Sequence, residues 1–253
     1  MGKRRAKQKN QSKIIGHLQR IRAVLAAAAV VLTALVVISA VDIITCSQVH
    51  GEGITCRKIG FITKEERYRD EEGKFVYMHE FTDVQNGDIL ISMSTHTLGW
   101  RHGHAALVID AERGITLEAA LWGKPSAKMH MRHWSAYANA VHLRVSEEAA
   151  EKALADSGIR RNPGMTAAAQ LGQLAAEFAE KNEDGIMYGL LTGIPNKAPD
   201  ADEIKKTQCA HLVWYAYSEF GVDLDSDGGW LVTPRDIAES EELTVIEEFG
   251  TFS

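Results

Sequence analysis

The chain has three cysteines and ten histidines among 253 residues, and one of each stands where thiol chemistry would need it. Cys209 lies near the start of residues 207–221, where Leu212, Val213, Ala216 and Phe220 repeat at helical spacing, Thr207 is suited to cap the start and Gly221 to stop the end. A thiol in a first helical turn meets unpaired backbone N–H groups and the positive end of the helix dipole, which together favour the thiolate. Position alone fits a small core side chain equally well, so a base has to decide. His104 is the candidate base: it follows Trp100, Arg101, His102 and Gly103 and opens the apolar residues 105–109, with Gly103 allowing close approach of backbone or substrate. Glu118 interrupts the apolar residues 115–121, where a carboxylate is costly to bury unless it accepts a hydrogen bond, and an imidazole on a neighbouring strand would supply one. The hairpin register decides whether the two share a face, and a solvent-facing Glu118 is the other reading. His17 lies in the basic N-terminal segment, and His50, His79, His130, His133 and His142 have no acid at a telling spacing and read as surface residues.

These side chains need a compact domain to hold them. The Asn86-Gly87-Asp88 turn followed by apolar residues 89–91 marks its start near residue 83. Residues 104–110 and 115–121 around a Gly114-containing turn predict an antiparallel hairpin, and residues 140–145 alternate as a further strand. The period then changes. Residues 146–157 and 165–181 predict two helices separated by Asn162-Pro163-Gly164, with Ala167, Leu171, Leu174, Ala175 and Phe178 on one face of the second. Strands followed by helices predict an α+β domain over 83–253. Residues 42–82, with the charge-dense run 64–74, read as a juxtamembrane stalk or edge elements without visible chemistry.

The N-terminus differs sharply in composition. Residues 1–22 hold eight Lys or Arg and no acid, leaving 20 basic residues against 34 acidic in the remainder, a balance of −14 behind an overall −6. Residues 23–41 carry no charge, Pro or Gly, and 19 residues at ~1.5 Å rise match a bilayer core. The excess of Lys and Arg predicts a cytoplasmic residue 1–22 segment, a signal anchor over 23–41 and an extracytoplasmic domain. Cleavage near Ala40, releasing a secreted domain, is the rival. Cys46 and Cys56 flank a short Gly-containing segment that an oxidising compartment would allow to pair, or leave as two thiols. An acidic exported domain without a basic stripe excludes nucleic acid as a partner class.

The ordered pattern Gly87-Asp88-Ile89-Leu90, Gly103-His104, Leu117-Glu118-Ala119 and Gln208-Cys209-Ala210-His211, with the tail 221–234, resembles the permuted NlpC/P60-type papain-fold cysteine hydrolases of the YiiX/YebB-like branch. The likeness covers roughly residues 83–240, and its order of His, acid and Cys is the mark of a circular permutation. It implies a permuted papain-like core, a small antiparallel sheet or partial barrel packed on helices, with residues 146–181 as a helical elaboration. It also implies Cys209 as nucleophile, His104 as general base and then acid, and Glu118 as the residue that orients the imidazole. Tyr188, Gln208 and Trp100 are the candidates for substrate contact and oxyanion support. For an exported member the implied substrates are cell-wall peptides or acyl amides. An acyl-lipid hydrolase or acyltransferase similar to lecithin retinol acyltransferase, and a non-catalytic binding module, are the alternatives.

No cofactor is expected. Residues 223–228 open like a calcium loop, but position twelve is Pro234 where such a loop needs a bidentate Glu, so they read as a turn. Zinc held by His102, His104 and Cys209 lacks any HExxH or CxxC support.

Overall fold

A computed structural model of the chain describes residues 2–47, 52–59, 63–97, 100–192 and 205–250. It divides into two units, Met1–Gln48 and Val49–Ser253.

The first unit is one helix, α1 (Gly2–Ser47). Within it Leu18–Val41 is long and apolar enough to cross a membrane or to act as a signal sequence. Val24, Val30 and Val36 are all about two-thirds or more exposed, and the apolar residues leave no polar face to set against water. The hydroxyl of Thr33 donates to the carbonyl of Ala29 at 2.9 Å, so its one polar side-chain group is satisfied within the helix.

The second unit mixes helices with antiparallel sheets. Its main sheet has six strands in the order β11-β8-β3-β5-β6-β7: β3 (Ile89–Ser92), β5 (His104–Asp110), β6 (Ile115–Glu118), β7 (Ala127–His130), β8 (Ala140–Val145) and β11 (Leu243–Phe249). Every pairing in it is antiparallel. Side chains alternate between its faces with a period of two. Ile89, Ile91, Ala105, Leu107 and Leu117 face a core shared with the helices α2 (Glu147–Asp156), α3 (Ala167–Asn182) and α4 (Cys209–Ser218). Leu90, Ala106 and Val108 face a smaller core closed by Trp134, within the 3-10 helix Met131–Ala136, and by Tyr137, its C-cap.

Residues 146–181 therefore belong to the main core: Leu154, Leu171 and Ala175 are fully buried against the sheet. Ser146 and Thr166 cap α2 and α3 through their hydroxyls, as the composition of those turns favours. Helix α4 starts later than its sequence predicts. Thr207 lies in the short strand β10 (Lys206–Thr207), paired with β9 (Met187–Tyr188), and the cap is Gln208.

The compact unit also begins earlier than residue 83. Strands β1 (Ile54–Lys58) and β2 (Thr63–Tyr68) form a three-stranded sheet with β4 (Thr95–Thr97). The charge-dense run is partly buried there, Glu65 and Glu66 pairing with Arg67 and Arg101 at 2.9 and 2.6 Å. Arg67 also donates to the His133 carbonyl at 2.6 Å and lies 3.7 Å from the Tyr137 ring centre, which ties this sheet to the 3-10 helix.

Gly87 shows how tightly the sheet meets the helices. It has φ +86°, and a Cβ there would fall 2.2 Å from the Cα of Gly172 in α3. Its carbonyl accepts the Tyr217 hydroxyl of α4 at 2.6 Å. Gly87→Ala is expected to cost about 3 kcal/mol. Urea unfolding should show a lower midpoint at unchanged slope.

Candidate functional site

Helix α4 presents Cys209 as its first residue. The Gln208 side chain accepts from Ala210 N–H at 3.0 Å and donates to the Val232 carbonyl at 2.7 Å. Its amide is thus engaged in fixing the helix start, and its Oε1 lies 3.6 Å from the Cys209 sulfur. The sulfur is largely buried and is the free thiol among the described residues.

His104 is the first residue of β5. Gly103 before it has φ +72°, and a Cβ there would meet the Ser92 carbonyl and Met93 sulfur at 2.8 Å. Only a glycine lets the chain enter the strand at this point. In the β5–β6 register Leu107 faces Leu117 and Val108 faces Thr116. Extending it by one pair sets Glu118 opposite Ala106, so Glu118 and His104 are diagonal neighbours on one face. Glu118 Oε2 is 2.8 Å from His104 Nε2. Cys209 also acts on this imidazole and raises it, and with Nε2 committed to Glu118 the nitrogen left to face the sulfur is Nδ1.

Glu118 is buried and fully partnered. Oε1 accepts from Thr116 Oγ1 at 2.6 Å and Trp134 Nε1 at 2.9 Å, and His133 Nε2 lies 3.4 Å away. Trp134 also stacks on His104, with ring centres 5.2 Å apart and planes 9° from parallel. His133 Nδ1 donates to the His130 carbonyl at 2.8 Å. Burial alone would push His104 down, but its hydrogen bonds to Cys209 and Glu118 and the charge of Glu118 outweigh that and raise it to about 10. For Glu118, burial acts upward and is overcome by hydrogen bonds from His104 and His133, which hold it well below the usual carboxylate range.

Above the thiol is a small pocket lined by Trp100, Tyr188, Leu190, Gln208 and Leu231. Tyr188 is half-buried in it, and burial first, then the neighbouring Cys209 charge, raises its phenol. Trp100 is 55% exposed at the rim. A wider open cleft of about 750 Å³, lined by Tyr77, Phe81, Arg113 and His130, holds none of Cys209, His104 and Glu118.

Two of the histidines that read as surface residues are not. His133 reaches Glu118, and His142 is wholly buried between Asp88 at 2.7 Å and Glu247 at 3.1 Å. Their partners come from distant strands or turns, which no local spacing announces. Thr116, two residues before Glu118 on the same face, was the one local clue. His79 is half-buried and stacks on Phe249; His130 is exposed. His50 and the side chain of His17 lie outside the described residues.

No family model and no curated protein matches the chain. A solved structure described as the metalloprotein YiiX from Escherichia coli O157:H7 superposes on 66% of this chain and 98% of its own, at 14% identity and a TM-score of 0.45.

Two groups of possible metal ligands occur among the described residues. Cys56, Glu66 and His96 have ligand atoms within 4.8 Å of one another, but Cys56 is disulfide-bonded and its sulfur is not a thiolate donor. The side chain of Cys46, the sequence candidate for its partner, lies outside the described residues. The carboxylates of Asp225, Asp227 and Asp236 cluster within the same distance. Asp223, which opens the calcium-like run, instead accepts from Trp214 Nε1 at 2.7 Å and Asp225 N–H at 3.0 Å. Around Cys209, His102 has both ring nitrogens engaged, Nδ1 with the Gly103 carbonyl and Nε2 with Thr97 Oγ1, each at 2.9 Å. Burial lowers it, so it is neutral with the proton on Nδ1.

Glu183, at the end of α3, is fully buried and neither carboxylate oxygen has a partner. Burial raises it well above the usual range, so at neutral pH it must take up a proton to fold. A folded value above the unfolded one gives stability that is complete below about pH 4 and is lost as pH rises. Glu183→Leu is expected to raise the melting temperature at pH 8 more than at pH 4, by a gain of about 2 kcal/mol at pH 8.

Proposed function

We propose that this chain is an exported, membrane-anchored thiol hydrolase of amide bonds, built on a permuted papain-like core of the NlpC/P60 type. The observation that carries the reading is a buried imidazole 2.8 Å from Glu118, with Cys209, at the first position of α4, raising the same ring. In the proposed mechanism the Cys209 thiolate attacks the carbonyl carbon, and the electron pair of its π bond moves onto oxygen. The Cys209 backbone N–H, at the first position of α4, is the oxyanion donor in this scheme; the next N–H is taken by Gln208. Collapse of the adduct expels the amine, which takes its proton from His104, leaving a thioacyl-enzyme. His104 then removes a proton from water as the water attacks and keeps it as the Cys209 thiolate departs, which frees the acid and restores the starting thiolate and imidazolium. Glu118 keeps the imidazole oriented and balances its charge; Tyr188 and Trp100 contact the substrate.

The basic segment 1–22 is assigned to the cytoplasm and the Val49–Ser253 unit to the far side of the membrane. Acid-quenching the full chain during turnover of cell-wall peptides or N-acyl amides tests the chemistry. The expected result is an acyl adduct on the peptide that contains Cys209, discharged by hydroxylamine. Hydrolysis that proceeds without such an adduct, and survives Cys209→Ala, would overturn the assignment.

A further inference from the structure

Three of the five tryptophans are exposed, Trp100 by 55%, Trp122 by 78% and Trp230 by 82%, whereas Trp134 and Trp214 are buried. One of the exposed three lines the Cys209 pocket, and the other two stand on segments that adjoin residues lining it. Trp100 lines it, and Trp230 precedes Leu231, which lines it too. Trp122 belongs to the turn whose Lys124 carbonyl accepts from Tyr188 N–H at 3.0 Å, and Pro125 bridges to Met187. Leu190 and Leu191 extend the same rim and are 40% and 67% exposed. An apolar surface of this kind around a cleft costs free energy in water unless something covers it.

The covering must suit tryptophan, leucine and lysine together. Lys124, Lys205 and Lys206 are exposed on the segments that carry this rim, with Lys206 paired to Met187 across β9–β10, in a chain whose residues 23–253 have a balance of −14. Tryptophan rings with flanking lysines suit the headgroup level of a bilayer that contains anionic lipid. The same chain carries the Leu18–Val41 helix, and a domain tied to a bilayer meets its surface at high effective concentration.

We propose that the rim of the Cys209 pocket docks on the lipid bilayer. The docking stands on the rim and does not rest on the hydrolase reading.

The test uses the full chain in vesicles of phosphatidylcholine and phosphatidylglycerol, with or without acyl-brominated lipid. The α1 helix contains no tryptophan, so quenching reports on the Val49–Ser253 unit. Bromolipid should remove about half of the tryptophan emission, because the rim holds three of five tryptophans at headgroup depth. In the Trp100→Phe, Trp122→Phe, Trp230→Phe triple variant the remaining emission should be insensitive to bromolipid. Lys124→Gln with Lys205→Gln and Lys206→Gln should weaken quenching in the wild-type background. Emission untouched by bromolipid but quenched by aqueous iodide would place the rim in water and overturn the docking, leaving a reactive Cys209 to a water-soluble substrate such as a wall peptide. Full bromolipid quenching with an inert Cys209 would keep the docking and remove the hydrolase.

Discussion

Cys209→Ala is expected to lower amide hydrolysis by about 10⁴-fold or more while leaving the thermal midpoint within a few degrees of wild type. The size follows from removing the nucleophile of a unit that acts jointly, where losing one member costs nearly as much as losing all. The small effect on stability follows from geometry. Alanine keeps the Cβ that packs at the start of α4, and the Gln208 cap on Ala210 does not involve the sulfur. His104→Ala should give a rate loss of similar order, and the double variant should be little worse than either alone. Steady-state kinetics on the full chain, with circular dichroism to follow folding, checks both. Additive losses would mean that the two side chains do not work on one bond.

Glu118→Ala is expected to be the most damaging single change to the fold at the site, by about 3–5 kcal/mol. It removes the acceptor shared by His104, Thr116 and Trp134, all of them buried. Glu118→Gln separates the charge from the shape. With the carboxylate gone, much of what raises His104 is gone as well, so the general acid should be lost at lower pH. In the wild type His104 is raised to about 10, so the alkaline limb of the rate profile belongs near there; in Glu118→Gln it should move down by more than one pH unit. The sign for stability is consistent. A histidine raised in the folded state contributes stability that is complete below about pH 6.5 and is lost as pH rises through about 10. Glu118, held low, contributes stability present above about pH 4 and lost in acid. An unchanged alkaline limb in Glu118→Gln would show that the carboxylate does not govern the imidazole.

Much of this arrangement was legible in the residues. The Ile89–Ser92, His104–Asp110, Ile115–Glu118 and Ala140–Val145 strands follow from apolar runs between turn residues, and α2 and α3 from their composition and the helical spacing of Ala167, Leu171, Leu174, Ala175 and Phe178. Glu118 stood out because a carboxylate among Leu117, Ala119 and Ala120 has to find a partner. What escaped was set by contacts distant in sequence. Trp134 and His133 reach Glu118 from a separate turn, and the β1–β2–β4 sheet hides its core contribution in a run of Glu and Arg that pair with one another. Charges that satisfy each other inside a fold look, in sequence, like charges facing water. The Thr207 cap failed for a related reason: pairing with Tyr188 draws Thr207 into a strand and passes the cap to Gln208. The exposed Trp122 and Trp230 gave no signal at all, because an aromatic residue near a turn is as readily buried as bare.

Alkylation shows directly whether Cys209 and His104 form an activated pair. The full chain is treated with iodoacetamide across pH 5 to 9, as its disulfide-bonded Cys56 does not compete, and the adduct is located by peptide mass spectrometry. Fast modification of Cys209 at pH 6 is expected, slowed by about tenfold or more in His104→Ala and abolished as a distinct fast phase when the protein is unfolded. A Cys209 that stays inert in the folded chain at pH 6, or reacts equally fast without His104, would contradict an activated pair.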